Sequence, residues 1–466
     1  MPLLDRPRWN ELRERAGSLS ALTATHVFLL SFLGLVAVGT AGFLLLPGLY
    51  TGPGLGFVDA LFTSASAVCV TGLVVVDTAR YFTPAGQAWI LLLIQLGGLG
   101  ILTFTTLVIA LLGRRTSLRA LEAAGGHAGA LRHLGPFELV RGVVGATVLL
   151  EAVGAVLLWL ALRGELGAGG AVWPAVFHAV SAFCNAGFSI FPRSLEAHAS
   201  APLVLLTVSG LVILGGVGFL VLADARAVWR GRARRLSTHS RLVLGATGVL
   251  LASGTVLFLL FEVGNTLQGM GWWDRVTNAW FMSVTPRTAG FNSVDYDALT
   301  NPSLFLTILL MLVGGSPGST AGGLKTTTLA LMVLALLARL RGDDHVSVAG
   351  RTIPSETVGR AAGLALGGLL IVGAAVFLLA VVEMAPEGGT DRVEFLRLAF
   401  EAHSAFGTVG LSMGATSALS EAGRLIVAAL MYVGRVGPLA VASAMAVAGR
   451  RGGAGYRYAR QDVVIG

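Results

Sequence analysis

Charge is what this chain has least of. Asp, Glu, Lys and Arg make up 12% of its 466 residues, hydrophobic residues make up 55%, and mean hydropathy is +0.78. That balance excludes a soluble enzyme and predicts an integral protein of the lipid bilayer. Cysteine is nearly absent: Cys69 and Cys184 cannot build a disulfide framework, and their apolar surroundings read as core. Lysine occurs once, as Lys325. No small-residue cleavage site follows the Arg-rich stretch Met1–Arg15, so a cytoplasmic tail before a retained helix is expected. The strand, glycine fingerprint and following acid of a nucleotide-binding unit are missing. So is a nucleophile with a base on facing spans, which excludes an intramembrane enzyme. The net charge of +8 needs no nucleic acid to explain it, because membrane proteins collect arginine on their cytoplasmic side.

Glycine, by contrast, is abundant. Sixty-three glycines point to close helix contacts or functional loops. Apolar stretches long enough to cross a bilayer run over Leu22–Leu46, Trp89–Leu112, Leu139–Leu162, Leu203–Leu222, Leu242–Phe261, Leu304–Leu337, Val358–Val382 and Leu425–Val447, giving eight expected spans. Between successive pairs lie Phe57–Val68, Val172–Phe183, Trp273–Thr285 and Val393–Phe406. At about 1.5 Å per residue these reach only part-way across and must return. The connections Arg114–Arg132, Arg226–Arg241 and Arg339–Arg360 are basic, as are both termini, whereas Asp59, Asp77, Asp274, Asp295, Asp297, Glu387 and Asp391 fall in the others. The expected topology is therefore multi-pass in the plasma membrane, with both termini cytoplasmic and the part-way segments entering from outside.

Span, part-way segment and span recur four times. Each part-way segment ends in a related phrase: Val70-Thr71-Gly72, Asn185-Ala186-Gly187, Thr288-Ala289-Gly290 and Thr408-Val409-Gly410, each followed by a large apolar residue. The next span carries Gly97-Gly98, Gly215-Gly216, Gly314-Gly315 or Gly434-Arg435, 24 to 28 residues beyond the phrase glycine. This register predicts an all-α membrane protein of four helix–pore-helix–helix repeats around a pseudo-fourfold central pore. The expected boundaries are a tail over 1–21, repeat 1 over 22–112, linker plus repeat 2 over 113–236, repeat 3 over 237–341, linker plus repeat 4 over 342–449, and a tail over 450–466. Four helix C-termini aimed at one cavity favour a cation there, and returns that expose backbone carbonyls can replace its hydration shell.

The sixth span is interrupted by Gly314, Gly315, Ser316, Pro317, Gly318, Ser319, Thr320, Ala321, Gly322 and Gly323. Non-helical backbone at membrane depth is tolerated only inside protein or beside a watery cavity, so this insertion is expected to mark a cavity, with Lys325 just after it. Only this repeat is expected to have a broken span. Arg435 stands where other repeats have glycine and is expected to face the axis; pairing with Glu151 is the alternative. Arg287 is expected to brace its return from behind. His178 and His403 lie at different offsets from their glycines, which argues against a shared metal site.

The chain resembles the Trk/Ktr/HKT superfamily of potassium transporters, most closely the Ktr membrane subunit. The resemblance covers about residues 22–449 and rests on T-P-R-T-A-G-F-N (Thr285–Asn292), Q-L-G-G-L-G (Gln95–Gly100), the Gly314–Thr327 run and G-R-V-G-P (Gly434–Pro438). It implies that Gly72, Gly187, Gly290 and Gly410 line a potassium filter, that Gly314–Gly323 is the gate below it, and that Arg435 narrows or blocks the path. Sodium-passing plant relatives carry Ser at the first glycine; Gly72 stands there, which favours potassium. A homodimer of membrane subunits controlled by a separate cytosolic nucleotide-binding ring of RCK/KTN type is also implied. Potassium is then the transported ion, with no covalently bound cofactor, and sodium is considered as an activator. A cation-coupled secondary transporter also uses broken helices, but four parallel repeats argue against its two inverted halves.

Overall fold

A computed structural model describes residues 29–115, 136–383 and 394–437. The basic Arg114–Arg132 connection, Glu387, Asp391, both tails and the second half of the last predicted span lie wholly or mainly outside these residues. The described helices are α1 (Leu29–Leu45), α2 (Phe57–Val68), α3 (Thr78–Tyr81), α4 (Pro84–Arg115), α5 (Pro136–Gly170), α6 (Val172–Phe183), α7 (Pro202–Val217) and α8 (Phe219–Trp229). They continue as α9 (Thr238–Glu262), α10 (Trp272–Val284), α11 (Asn301–Leu312), α12 (Thr326–Leu340), α13 (Ser355–Val382), α14 (Phe395–Gly407), α15 (Ala415–Ala418) and α16 (Glu421–Val436). A two-stranded hairpin, β1 (Ser347–Val348) with β2 (Arg351–Thr352), joins α12 to α13.

Local chemistry sets several boundaries. The Ser237 and Ser420 hydroxyls accept from the N–H groups of Ser240 and Gly423, capping α9 and α16. Prolines open α7 and α11, where a missing N–H costs nothing. Among the described residues three helices, Val140–Gly170, Thr238–Glu262 and Ser355–Val382, are each long and apolar enough to cross a membrane. The bent pair α7–α8 makes a fourth if it counts as one span.

The expected part-way segments appear as α2, α6, α10 and α14, each of 12 or 13 residues. Their buried faces anchor on Phe62, Phe177, Phe281 and Phe400, all 1% exposed or less. Each is held by neighbours on both sides: α4 packs on α2 and α6, α7 on α6 and α10, α9 on α10 and α11, α11 on α14, and α16 on α14 and α2. The last helix thus returns to the first short helix, and the four short helices are enclosed in one closed circuit.

One expectation needs correction. The span read as continuous over Leu203–Leu222 is broken at Gly218, where α7 and α8 meet at 97°. Gly218 has φ +87° and ψ 152°, and its N-terminal neighbour Val217 ends the helix. Gly437, which also lies three residues beyond the first glycine of its motif, ends α16 with φ +96° and ψ 140°. The insertion in the sixth span is therefore not the one departure from straight helix at this level. A carbonyl explains the position in part: a Cβ at Gly218 would lie 3.0 Å from the Gly318 oxygen, and the next N–H, Phe219, donates to that oxygen at 3.0 Å. The broken second span and the inserted loop are built against each other.

Candidate functional site

The four returns share one backbone signature. Their first residues, Val70, Asn185, Thr288 and Thr408, all take left-handed φ, between +49° and +69°, and their glycines Gly72, Gly187, Gly290 and Gly410 take φ of +94°, +69°, +80° and +95°. A non-glycine residue at positive φ is strained, so four in register must be held by surrounding bonds. The bonds are visible. Thr71, Ala186 and Val409 donate to carbonyls of Ser66, Ser181 and Ser404 at 2.7–2.8 Å, and Gly290 donates to Thr285 at 3.3 Å. The same four side chains act again: Ser66 and Ser404 Oγ accept from the Gly72 and Gly410 N–H at 3.1 Å. Ser181 and Thr285 donate to the carbonyls of Phe188 and Phe291 at 2.8 and 2.5 Å. Sequence reading missed these braces, although a serine six residues before the glycine in three of four repeats signalled them.

The glycines close a ring. A Cβ at Gly72 would lie 2.3 Å from the Ala186 oxygen, at Gly187 2.8 Å from the Ala289 oxygen, at Gly290 2.2 Å from the Val409 oxygen, and at Gly410 2.1 Å from the Thr71 oxygen. Each return therefore abuts the next, and the fourth abuts the first. Thr288 links the second and third returns through its hydroxyl, 3.2 Å from the Asn185 amide oxygen. In that orientation the Asn185 amide nitrogen reaches the Ala182 and Val212 carbonyls at 3.1 and 3.2 Å.

The second glycine motif has a separate physical cause. A Cβ at Gly97, Gly215 or Gly434 would lie 2.0 Å from the carbonyl oxygen of Val68, Phe183 or Phe406, at the end of a short helix. These glycines let a long helix lie directly against a short helix terminus. Gly434→Ala is accordingly expected to destabilise the protein by about 1–3 kcal/mol or more, since backbone and not a flexible side chain must move. A thermal melt in detergent, read beside Gly373→Ala, whose Cβ would meet nothing within 4 Å, checks this.

On one side of the ring is a cavity of about 390 Å³ with Gly72, Gly187 and Gly410 in its floor. The residues two beyond each glycine, Val74, Ser189, Asn292 and Ser412, line it, as does Asp77. At its border, burial raises the Glu196 carboxyl above the usual carboxylate range and nearby Asp295 adds to this, against Arg193 and the Asn292 amide. Of the acids expected outside, Asp77 pairs with Arg80 at 3.7 Å and Asp297 with Arg397 at 2.8 Å.

On the other side lies the inserted loop, buried at every position from Gly314 to Gly323 except the half-buried Pro317. A Cβ at Gly322 would strike the Thr408 hydroxyl at 2.3 Å, so the loop runs directly against the fourth return. Its backbone is tied to α7 and α16 and closed across its own ends: Ser316 N–H to Gly216 O (2.9 Å), Thr320 N–H to Gly215 O (3.3 Å), Gly323 N–H to Gly434 O (3.2 Å) and Gly314 N–H to Leu324 O (2.8 Å). Lys325 Nζ donates to the Ala321 carbonyl at 2.8 Å, closing the loop on itself.

Arg435, 2% exposed, donates to the Thr320 carbonyl of the loop and, at 3.1 Å, to the Gly97 carbonyl of α4. It does not pair with Glu151, which accepts from Gln95 at 3.2 Å and from the Cys184 thiol at 3.8 Å. Arg287, which directly precedes the third return, reaches Thr247 at 3.4 Å and Thr326 at 3.3 Å, and Thr326 donates to the Gly314 carbonyl at 2.9 Å. Cys69 and Cys184 are buried and free. Among the described residues no cluster of His, Cys, Asp and Glu could hold a metal ion.

Comparison with known proteins supplies the family. The profile of TrkH, described as a cation transport protein, matches residues 35–449. The Ktr system potassium uptake protein B of Vibrio alginolyticus is 40% identical over 90% of this chain and 91% of its own, and that of Bacillus subtilis is 37% identical over 90% and 92%. The potassium/sodium uptake protein NtpJ of Enterococcus hirae is 39% identical over 88% and 90%. The crystal structure of the potassium transporter TrkH from Vibrio parahaemolyticus has the same fold, with TM-score 0.71 at 18% identity over 90% of this chain and 84% of that one. The chain belongs to the TrkH family of cation transport proteins.

Proposed function

We propose that this chain is the pore-forming subunit of a potassium uptake system, with the glycine ring as its selectivity filter and the inserted loop as its gate. The observation that carries this reading is the ring itself: four glycine returns in cyclic contact, an aqueous-sized cavity on one side and a buried loop on the other. Carbonyls of Val70 to Gly72, Asn185 to Gly187, Thr288 to Gly290 and Thr408 to Gly410 replace the hydration shell. The C-terminal ends of four short helices favour a positive charge there. The relatives are named for potassium uptake, one of them for potassium and sodium.

In this reading the four repeats carry eight spans: α1, α4, α5, α7–α8, α9, α11–α12, α13 and α16. The Arg226–Arg241 connection begins in the last turn of α8, which starts against the gate loop, so the basic side is cytoplasmic and the cavity opens outward. An inside-negative potential then contributes about 2.3 kcal/mol per 100 mV for each monovalent cation entering. The subunit works as a homodimer on a cytosolic nucleotide-binding ring. Gating acts through Gly314–Gly323, with Lys325 fixing its fold and Arg435 clamping it to α4.

Cation flux into liposomes holding the full chain tests the reading. Potassium and rubidium are expected to enter at least tenfold faster than sodium. Equal potassium and sodium flux would remove the filter assignment.

A further inference from the structure

Ser189, Asn292 and Ser412 occupy one level of the outer cavity, each two residues beyond its filter glycine, and the fourth residue at that level is Val74. Behind each polar member stands an acceptor. His178, 1% exposed, has Nδ1 2.7 Å from the Pro174 carbonyl and Nε2 2.8 Å from Ser189 Oγ. A carbonyl only accepts, so Nδ1 carries the ring proton, and the neutral ring offers Nε2 as acceptor for the Ser189 hydroxyl. Glu401, fully buried, accepts from Ser412 Oγ at 2.8 Å through one carboxylate oxygen and from Thr416 through the other. Asn292 turns one amide N–H to Glu196 at 2.8 Å, and its amide nitrogen also lies 3.5 Å from the Val294 carbonyl.

The Ser189 and Ser412 assemblies match in detail. His178 lies nine residues before Gly187 and Glu401 nine before Gly410. Each serine also accepts a backbone N–H from two residues on, Phe191 at 3.0 Å and Gly414 at 3.1 Å. In the cyclic order of the ring, Gly187 and Gly410 are not neighbours, so the two serines stand across the mouth from each other.

The consequence is chemical. Every polar side chain at this level has a donor engaged by the protein. Ser189, Ser412 and Asn292 therefore meet the cavity as oxygen acceptors, and Val74 adds no donor. This level offers oxygen ligands to a cation that has not yet entered the ring, and Arg193, which also lines the cavity, lies 3.7 Å from the Glu196 carboxylate. We infer that Ser189 Oγ, Asn292 Oδ1 and Ser412 Oγ form an outer site for a partly hydrated monovalent cation, with His178 and Glu401 as positioning residues that turn the hydroxyl protons away from it. The site rests on the proposed uptake function and adds to it a loading step ahead of the filter.

The test is the potassium dependence of flux into liposomes holding the full chain, compared with Ser189→Ala/Ser412→Ala and with Glu401→Gln, whose amide N–H can displace a hydroxyl proton toward the cavity. The double variant is expected to raise the apparent KM for potassium at least fivefold while keeping the potassium-to-sodium ratio, because the filter backbone is untouched. Glu401→Gln should raise KM in the same direction with a smaller change in maximal flux. An unchanged KM in a double variant that still carries potassium selectively overturns the outer site and leaves the filter reading standing. If that variant does not fold, Val74→Thr decides the matter: a fourth oxygen should lower KM, and an unchanged value overturns the site. Absence of any potassium flux through the intact chain removes both proposals together.

Discussion

Deleting Gly318–Gly323 is expected to raise potassium flux by about tenfold or more. The segment carries much of what ties the loop beneath the ring: the Gly318 carbonyl to Phe219, Thr320 to Arg435 and to the Phe183 carbonyl, Ala321 to Lys325, and Gly323 to the Gly434 carbonyl. A buried hydrogen bond contributes about 1 kcal/mol net and a charged one somewhat more. Five of them hold the closed arrangement with several kcal/mol, and about 1.4 kcal/mol is enough for a tenfold change in an equilibrium constant. Gly314 and Gly315 remain in the variant and keep their contacts to Leu324 and Thr326, so the ends of α11 and α12 stay tied. Flux of the intact chain and the deletion variant should be compared in liposomes at equal reconstituted protein. Unchanged or lower flux in a deletion variant that remains well folded would count against the loop as gate.

The loop also shows which features a sequence exposes. Its length, its glycines and its place inside an apolar run were legible because a broken span violates a strong rule about backbone in lipid. The short helices were legible to within one or two residues because apolar length and a repeated phrase agree: Trp273–Thr285 is found as Trp272–Val284. The break at Gly218 was not. Leu214-Gly215-Gly216-Val217-Gly218-Phe219 has the composition of a membrane helix, and the break is met by a carbonyl from a loop 100 residues away. Arg435 was legible as a buried cation, but its partners were not. Thr320 and Gly97 receive it through backbone oxygens, which leave no mark on residue type.

The cavity level of Ser189 and Ser412 was obscured for another reason. Comparing histidines with histidines set His178 against His403, at offsets of nine and seven, and the comparison found nothing. By position His178 corresponds to Glu401, a different residue type with the same task of accepting a serine hydroxyl. His403 instead turns Nδ1 to the Ala399 carbonyl of its own helix at 2.7 Å. On the proposed four-repeat reading, equivalence is carried by distance from the shared glycine more faithfully than by side-chain identity. The bracing hydroxyls Ser66, Ser181 and Ser404 follow the same logic six residues from their glycines, while the third repeat substitutes Thr285 at five.

Gly72→Ser is expected to lower the potassium-to-sodium flux ratio at least tenfold. The position is confined in two independent ways. Its φ of +94° is one that L side chains rarely adopt, and a Cβ there would lie 2.3 Å from the Ala186 oxygen and 3.0 Å from the Gly187 α-carbon. Both obstacles are backbone of the neighbouring return, so relief comes only by moving one of the two returns. Strain of this kind costs about 1–3 kcal/mol, and a carbonyl ring that discriminates by oxygen spacing loses discrimination when two of its four members shift. Selectivity is a difference of affinities, so about 1.4 kcal/mol lost from the potassium side alone gives the tenfold fall. The serine hydroxyl adds an oxygen that sodium, the smaller and more strongly hydrated ion, can use. Total cation flux should survive, because the inserted loop and the braces of the other three returns, Ser181, Thr285 and Ser404, are unchanged. Flux of potassium, rubidium and sodium measured separately on the same liposomes distinguishes the outcomes. A lowered ratio with sustained sodium entry is the expected one, and a ratio equal to that of the intact chain would move discrimination away from the glycine ring.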